Sequence, residues 1–435
     1  MSAEAPNTLA IDREAMVHRA AELIRLSTIN PPGNRYLECA RLLARQCREA
    51  GMKARIVRIP DEAVRRRFPD GKLYPRAIVL ARWDVGARRT VHFNGHYDVV
   101  PAASEGWRFG PFEPRLEDGW LYGRGAADMK GAIASLLEAV SAVRRSGAGP
   151  AVNVEVSFTP DEETDSVFGA QWLVAERLVR ADYAIICEGG HGSRIGCGHN
   201  GVLWFEVEVR GKAAHGSQPR EGVNAVEQMS RLVIELTDYA RQLERQHRFR
   251  NPDGRLRTAT INVGGVTTTL DGAKINTVPA GVMFTVDRRV VPSESIEEAE
   301  ADFRAFVRGV CRRVRGLDVE VRKIDEHAAT YTDPRHPFLR KFGSILEKVC
   351  GERPRFTVSS GFNDSFFFAG EAGLPTLGWG PGGENCHGDD ERVQVAELAR
   401  VAEVYARFLR EFAGAGEAGA AVAERQVTVE RSVGS

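Results

Sequence analysis

Val91-His92-Phe93-Asn94-Gly95-His96-Tyr97-Asp98-Val99-Val100-Pro101 is an apolar stretch that ends in two metal-competent side chains two residues apart. On an extended backbone alternate residues share a face, so His96 and Asp98 point the same way, one able to ligate a metal and the other to steady its ring. A polar strand terminus would read the same, and the pair acquires meaning only from its surroundings. Upstream, Met16, Ala20, Leu23 and Ile24 have the spacing of a helix, which the run from Ser27 to Gly33, with Pro31 and Pro32, stops. A second helix runs from Tyr36 to Ala50, and strands over 54–59 and 76–83 lead into the His96 strand. Strands alternating with helices predict an α/β sheet whose ligands gather at the strand ends.

Downstream, residues 101–119 are rich in Trp, Phe, Pro and Gly, the composition of a pocket wall or of an ordinary surface excursion. Asp128 follows in Gly123-Arg-Gly-Ala-Ala-Asp128-Met-Lys-Gly, ahead of a helix marked by Ile133, Leu136, Leu137, Val140 and Val143. It reads as a helix N-cap or first-turn acid, or as a loop carboxylate turned toward a metal. A strand over 151–159 runs into Asp161-Glu162-Glu163-Thr164-Asp165. So many adjacent acids repel one another unless cations or solvent neutralise them; a solvated loop is one reading. In the other, one glutamate of the pair 162/163 binds metal and its neighbour takes a proton from water. Tyr183-Ala-Ile-Ile-Cys187-Glu188 is a short buried strand that again ends in an acid. Gly196-Cys-Gly198-His-Asn-Gly201 matches a dinucleotide fingerprint by letters, yet the strand pattern of Val202 to Arg210 stands where that fingerprint needs a helix, which excludes it.

Beyond Gly201 the rhythm changes. A strand over 202–210, a helix over 224–246, strands over 257–266 and 282–288, a helix with Ile296, Phe303, Phe306, Val307 and Val310, and a strand over 318–324 spell β-α-β-β-α-β. That is a ferredoxin-like unit, complete within the interval and read as an inserted domain. The α/β pattern resumes with a helix over 337–350, a loop containing Gly361, Asn363 and Asp364, a strand near 375–379 and a helix over 395–412. The expected architecture is a metal-binding α/β catalytic domain with a central mixed sheet (1–198 and 326–412), the inserted domain (199–325), and a small-residue tail (413–435) without an apolar face.

With 59 basic and 59 acidic side chains among 435 residues, nothing recommends nucleic acid or an anionic membrane as partner. No apolar run approaches the roughly 20 residues of a membrane helix, and the first residues lack the pattern of a secretory signal. Seven scattered cysteines, never in a Cys-x-x-Cys pair, point to reduced thiols in the cytoplasm and away from a cysteine-built zinc site.

His96, Asp128, Glu163, Glu188 and His387 collect as ligand types at strand ends. Two histidines and three carboxylates suit a pair of divalent ions with one carboxylate bridging; zinc fits first, manganese or cobalt next. Such a pair can activate water and polarise a carbonyl. The motifs Gly95-His-Tyr-Asp-Val-Val-Pro, Gly123-Arg-Gly-Ala-Ala-Asp-Met-Lys-Gly, Asp161-Glu-Glu and Gly211-Lys-Ala-Ala-His215-Gly-Ser-Gln-Pro resemble the co-catalytic metallohydrolase family of acetylornithine deacetylase, succinyl-diaminopimelate desuccinylase, aminoacylase and carboxypeptidase G. The resemblance spans about residues 10–412. It implies His96 and Glu188 on one ion, Glu163 and His387 on the other, Asp128 between them, Glu162 as general base and Asp98 supporting His96. It further implies a homodimer formed through the inserted lid domain, with His215 stabilising the oxyanion in the neighbouring subunit, Asn276 assisting and Arg288 holding a substrate carboxylate, and Gly361 in a substrate-lining segment. Read without the family, His215 is a loop histidine, and of Arg288 and its neighbour Arg289 one is solvated. His92 and His199 read as strand and loop residues, and Cys187 and Cys386 as bystanders beside ligands. Asn200, where relatives carry a basic residue, and Phe362-Asn363-Asp364 in place of a Gly-Thr-Asp loop depart from the family around the substrate. The implied reaction is hydrolysis of the amide of an N-acyl amino acid. A dipeptidase, a carboxypeptidase or an amine-releasing hydrolase could use the same site, and a non-catalytic metal-binding relative is the reading from a different class.

Overall fold

The computed structural model describes residues 9–68, 74–270 and 273–414. Most of the expected tail, 415–435, lies outside them. Two compact units divide the described residues: the first holds those within 9–197, 332–357 and 363–414, the second those within 198–331 and 358–362. The return to the first unit falls later than residue 326 because the strand Asp318–His327 continues past Ile324, where its apolar alternation ends.

The first unit is organised on a mixed sheet whose strands run in the order Lys53–Arg58, Ala77–Trp83, Asn153–Thr159, Thr90–His96, Tyr183–Ile186, Thr376–Gly378 and Arg194–His199. Thr90–His96 lies parallel to both of its neighbours, and Tyr183–Ile186 parallel to Thr376–Gly378; the outer pairs are antiparallel. Thr90–His96 and Asn153–Thr159 are buried at all seven positions each, as strands covered on both faces must be. Parallel pairing brings the carboxyl ends of three strands to one edge: His96 stands opposite Thr159, and Asn94 opposite Ile186. Residues two to four positions beyond those ends, Asp161 to Glu163 and Glu188, therefore emerge beside His96.

Helix Lys130–Arg145 is buried from Lys130 through Val143. The Lys130 ammonium, itself fully buried, donates to the carbonyls of Leu23 and Leu26 at 3.0 and 2.8 Å, closing the carboxyl end of helix Arg13–Ile24 where backbone acceptors have no intrahelical partner. Within the expected loop 101–119, Arg115–Glu117 begins a hairpin with Trp120–Tyr122 around Asp118-Gly119, both at positive φ. This hairpin joins Arg392–Gln394 and Gly383–Glu384 in a small four-stranded sheet.

In the second unit four antiparallel strands run in the order Thr260–Thr269, Gly281–Val290, Gly201–Arg210 and Asp318–His327, with helices Ala225–Gln246 and Ile296–Arg313 against one face. Leu203, Phe205, Val207 and Val209 alternate into that core beside Val282, Phe284 and Val286, and Phe205 stacks on Phe303 at 4.5 Å. Asn224 and Ser295 cap the two helices, accepting backbone N–H groups of their first turns. The order and connections are those of the expected β-α-β-β-α-β unit.

Among the described residues no helix is long and apolar enough to cross a membrane, and all seven cysteines are free thiols.

Candidate metal centre

His96 closes its strand with the ring buried. Its Nδ1 lies 3.1 Å from the Asp98 carbonyl oxygen, which leaves Nε2 directed at Asp128 Oδ1, 3.0 Å away. On the other side of the same carboxylate, Asp128 Oδ2 is 3.3 Å from His387 Nε2, and His387 Nε2 is 3.2 Å from Glu163 Oε2. Ligand-type atoms gather in two groups, His96 with Asp128 and Glu188, and Asp128 with Glu163 and His387, each within 4.8 Å; Asp128 belongs to both. The Asp128–Met129 peptide is cis.

Chemistry favours cations here. Glu163 Oε1 and Glu188 Oε1 are buried and have no hydrogen-bond partner, an expensive state for carboxylate oxygens unless a cation meets them. Burial, with Glu188 beside it, drives the Glu162 carboxyl well above its ordinary range, and burial pushes Glu188 up to about 8. Asp128 and Glu163 raise His387 to about 10, while the two imidazoles hold Asp128 low against its burial. Burial works against a charged His96, but Glu162, Asp128 and Asp98 overcome it and raise its pKa well above the ordinary value. Without ions, protons must neutralise this cluster; two divalent ions suit a donor set of two imidazoles and three carboxylates.

A second layer of carboxylates holds the first in place. Asp98, fully buried, accepts the backbone N–H groups of Glu162 and Glu163 at 3.3 and 3.2 Å and the Asn30 amide at 3.0 Å. Asp161, at φ 65°, meets Arg76 Nε at 3.0 Å and the Tyr36 hydroxyl at 3.0 Å. Asp364 accepts from Ser166 Oγ at 2.6 Å and from Thr159 Oγ1 at 3.4 Å, and burial pushes its carboxyl up to about 6. Glu391 accepts the N–H groups of Gly125, Ala127 and Asp128. Sequence reasoning missed Asn30, Tyr36, Arg76 and Glu391. Asn30 was legible only as part of a helix stop, and Glu391 sits in Asp389-Asp390-Glu391-Arg392, which has the look of a solvated run.

The other expected site residues lie in the second unit. His215 and Asn276 come together on the short ladder Ala214–His215 with Thr277–Val278, where the Asn276 carbonyl accepts the Gly216 N–H at 2.7 Å; both side chains are exposed. Gly361 is exposed and donates to Ser359 Oγ at 3.0 Å. Arg288 is placed differently from His215 and Asn276. It shares the helix-covered face of its strand with Val286, is fully buried, and pairs with Glu294 at 2.5 Å, so a substrate carboxylate could reach it only by displacing that partner. Arg289, on the opposite face with Asp287, keeps a side chain 27 % exposed.

Fold and cluster together describe a metal-dependent hydrolase of amide bonds. Residues 92–411 match the model of peptidase family M20/M25/M40, and the chain belongs to that family. It is 31 % identical over 331 residues to a succinyl-diaminopimelate desuccinylase of Gluconacetobacter diazotrophicus, covering 74 % of this chain and 81 % of the relative. Among solved structures it superposes on an M20 metallo-carboxypeptidase of Sulfolobus solfataricus with a TM-score of 0.72 at 19 % identity, covering 91 % of this chain and 98 % of that one. The dipeptidase Dug1p of Saccharomyces cerevisiae gives a TM-score of 0.68 at 18 % identity, with 93 % and 97 % covered.

Proposed function

We propose that this protein hydrolyses the amide of an N-acylated amino acid, with two divalent ions, zinc first, held by His96 and Glu188 at one end, Glu163 and His387 at the other, and Asp128 between them. The observation that carries the reading is the shared Asp128 carboxylate, one oxygen toward each imidazole. Bound there, the ions would polarise the scissile carbonyl and make water more acidic. Glu162, 3.8 Å from His96 Nε2 and paired with no lysine or arginine among the described residues, takes the proton of the attacking water and delivers it to the leaving nitrogen. Asp98 keeps Glu162 in reach by holding its backbone N–H and orients the His96 ring. In a cytoplasmic homodimer formed through the second unit, His215 with Asn276 stabilises the oxyanion, and Arg289, the more open of the two arginines, takes the substrate carboxylate.

A dipeptidase or carboxypeptidase reading uses the same residues, and the dipeptidase and carboxypeptidase among the structural neighbours favour keeping it. Hydrolysis of a panel of N-acetyl and N-succinyl amino acids and dipeptides separates the two. Glu162→Ala should retain two ions by elemental analysis while turnover falls about 10²–10⁴-fold. An ion-loaded wild type inert on the whole panel would sink the substrate class, and a Glu162→Ala enzyme as active as wild type would sink the base.

A further inference from the structure

Glu391 is an acid with no evident chemistry to perform. Its side chain is 1 % exposed, and every partner of its carboxylate is a donor from one short stretch of chain. Oε2 accepts Arg124 Nη1 at 2.6 Å and the Gly125 N–H at 2.9 Å; Oε1 accepts the N–H groups of Ala127 and Asp128 at 2.9 and 3.0 Å. The Glu391 carbonyl also accepts the Gly123 N–H at 2.9 Å. The N–H groups of Gly125, Ala127 and Asp128 thus converge with the Arg124 guanidinium on one carboxylate, an arrangement that binds anions, and the anion it receives belongs to the chain itself.

What this clip joins matters more than how well it is satisfied. Glu391 follows His387 by four residues in a turn where Asn385, His387 and Asp390 all have positive φ, and it precedes the strand Arg392–Gln394, which pairs with Trp120–Tyr122. Gly383, on the neighbouring strand, approaches Ala127 so closely that a Cβ there would lie 2.2 Å from the Ala127 Cβ. One carboxylate therefore fastens the backbone of Asp128 to the segment that presents His387. The ends of the main sheet already place His96 and Glu188, whereas Glu163 and His387 both sit in loops.

We propose that Glu391 is a positioning residue of the metal centre: by clamping residues 124–128 against the His387 turn it sets the spacing of Asp128 and His387, and its loss weakens ion binding most at the Glu163–His387 end, where both of those ligands depend on it. The inference rests on the two-ion reading above. Glu391→Gln replaces one acceptor oxygen with an amide NH₂ that faces N–H donors, and Glu391→Asp keeps the charge but withdraws it by one methylene.

Zinc titration against a chromophoric chelator, with circular dichroism of the ion-free proteins, tests it. Wild type should take two ions. Glu391→Gln should lose about 10–100-fold in affinity for one ion and clearly less for the other, and Glu391→Asp should fall between. Wild-type affinity for both ions in Glu391→Gln, or an equal loss at both, would overturn the proposal, the second because a purely structural role weakens both ends alike. Should Glu391→Gln not fold, Glu391→Asp decides by the same criterion. A wild type that holds fewer than two ions at saturating zinc would overturn the two-ion reading and this inference with it, a result legible without any variant.

Discussion

Two sets of buried carboxylates lie side by side in the first unit, and they are satisfied in opposite ways. Asp98, Asp161 and Glu391 are closed: backbone N–H groups, an amide, a phenol and two guanidinium groups occupy their oxygens. Glu163 and Glu188 are open, each with a buried oxygen that no donor meets. Residue type does not distinguish the sets; the donors supplied around them do. A closed carboxylate fixes geometry, and an open one reserves a place for charge that arrives later.

If the distinction is real, changes to the two sets should move the stability of the ion-free protein in opposite directions. The largest effect is expected from Arg76→Met. Arg76 is buried against Asp161 and beneath Phe68 at 4.7 Å, so removing the guanidinium strands a buried carboxylate and should destabilise by about 3–5 kcal/mol in denaturant titration. Burial already holds Asp161 at about 6, so the loss should be greatest above that pH, where the orphaned acid must ionise. An unchanged midpoint would show that the closed set does not hold the fold. In contrast, Glu188→Gln should stabilise the ion-free protein by roughly 1–3 kcal/mol above pH 8 by removing an unpaired buried charge, while abolishing turnover. Destabilisation there would mean that Glu188 has a partner in the fold itself.

The pH dependence sharpens the same contrast. His387 stands at about 10 against an ordinary 6.5, and Glu188 at about 8 against 4.5. Both groups hold protons more tightly in the folded, ion-free protein than in the unfolded chain. Their contribution to stability is therefore present at low pH and is lost as pH rises, through about 8 for Glu188 and toward 10 for His387. Ion binding must expel the same protons, so ion affinity should climb over that range, with proton release visible as a buffer-dependent heat in calorimetry. A flat affinity profile would contradict the open set. Smallest of all, Arg35→Ala removes a pair with Glu38 in which both side chains are about half exposed, and it should change stability by less than about 1 kcal/mol; a larger loss would show that burial is not what separates these carboxylates.

Much of this is legible in the sequence. Each ligand-type residue stands just beyond a strand or in a glycine-marked loop, and parallel strands bring such ends to one edge whatever the details. The ferredoxin-like unit was equally plain, because Leu203, Phe205, Val207 and Val209 alternate without interruption. What escaped depended on partners far away in sequence. Nothing local distinguishes Glu391 from Asp390, since the N–H groups that bury it belong to residues 125–128. Arg288 and Arg289 differ only in which face of the strand the helices cover, a property of the sheet and not of either residue. The hairpin 115–122 could have been found, because Asp118-Gly119 is a strong turn signal, but the composition of residues 101–119 argued for a loop.

The small sheet that joins Trp120–Tyr122 to Arg392–Gln394 also sets a timetable for biogenesis. During synthesis His96, Asp128, Glu163 and Glu188 leave the ribosome long before His387, and the pairing that fixes the His387 turn against residues 120–128 forms only when the strand Arg392–Gln394 follows. A nascent chain can pair Thr90–His96 with both of its parallel neighbours while only one end of the cluster is assembled. Completion of the metal cluster is therefore a later event than the pairing of the strands that lead to His96, Glu163 and Glu188.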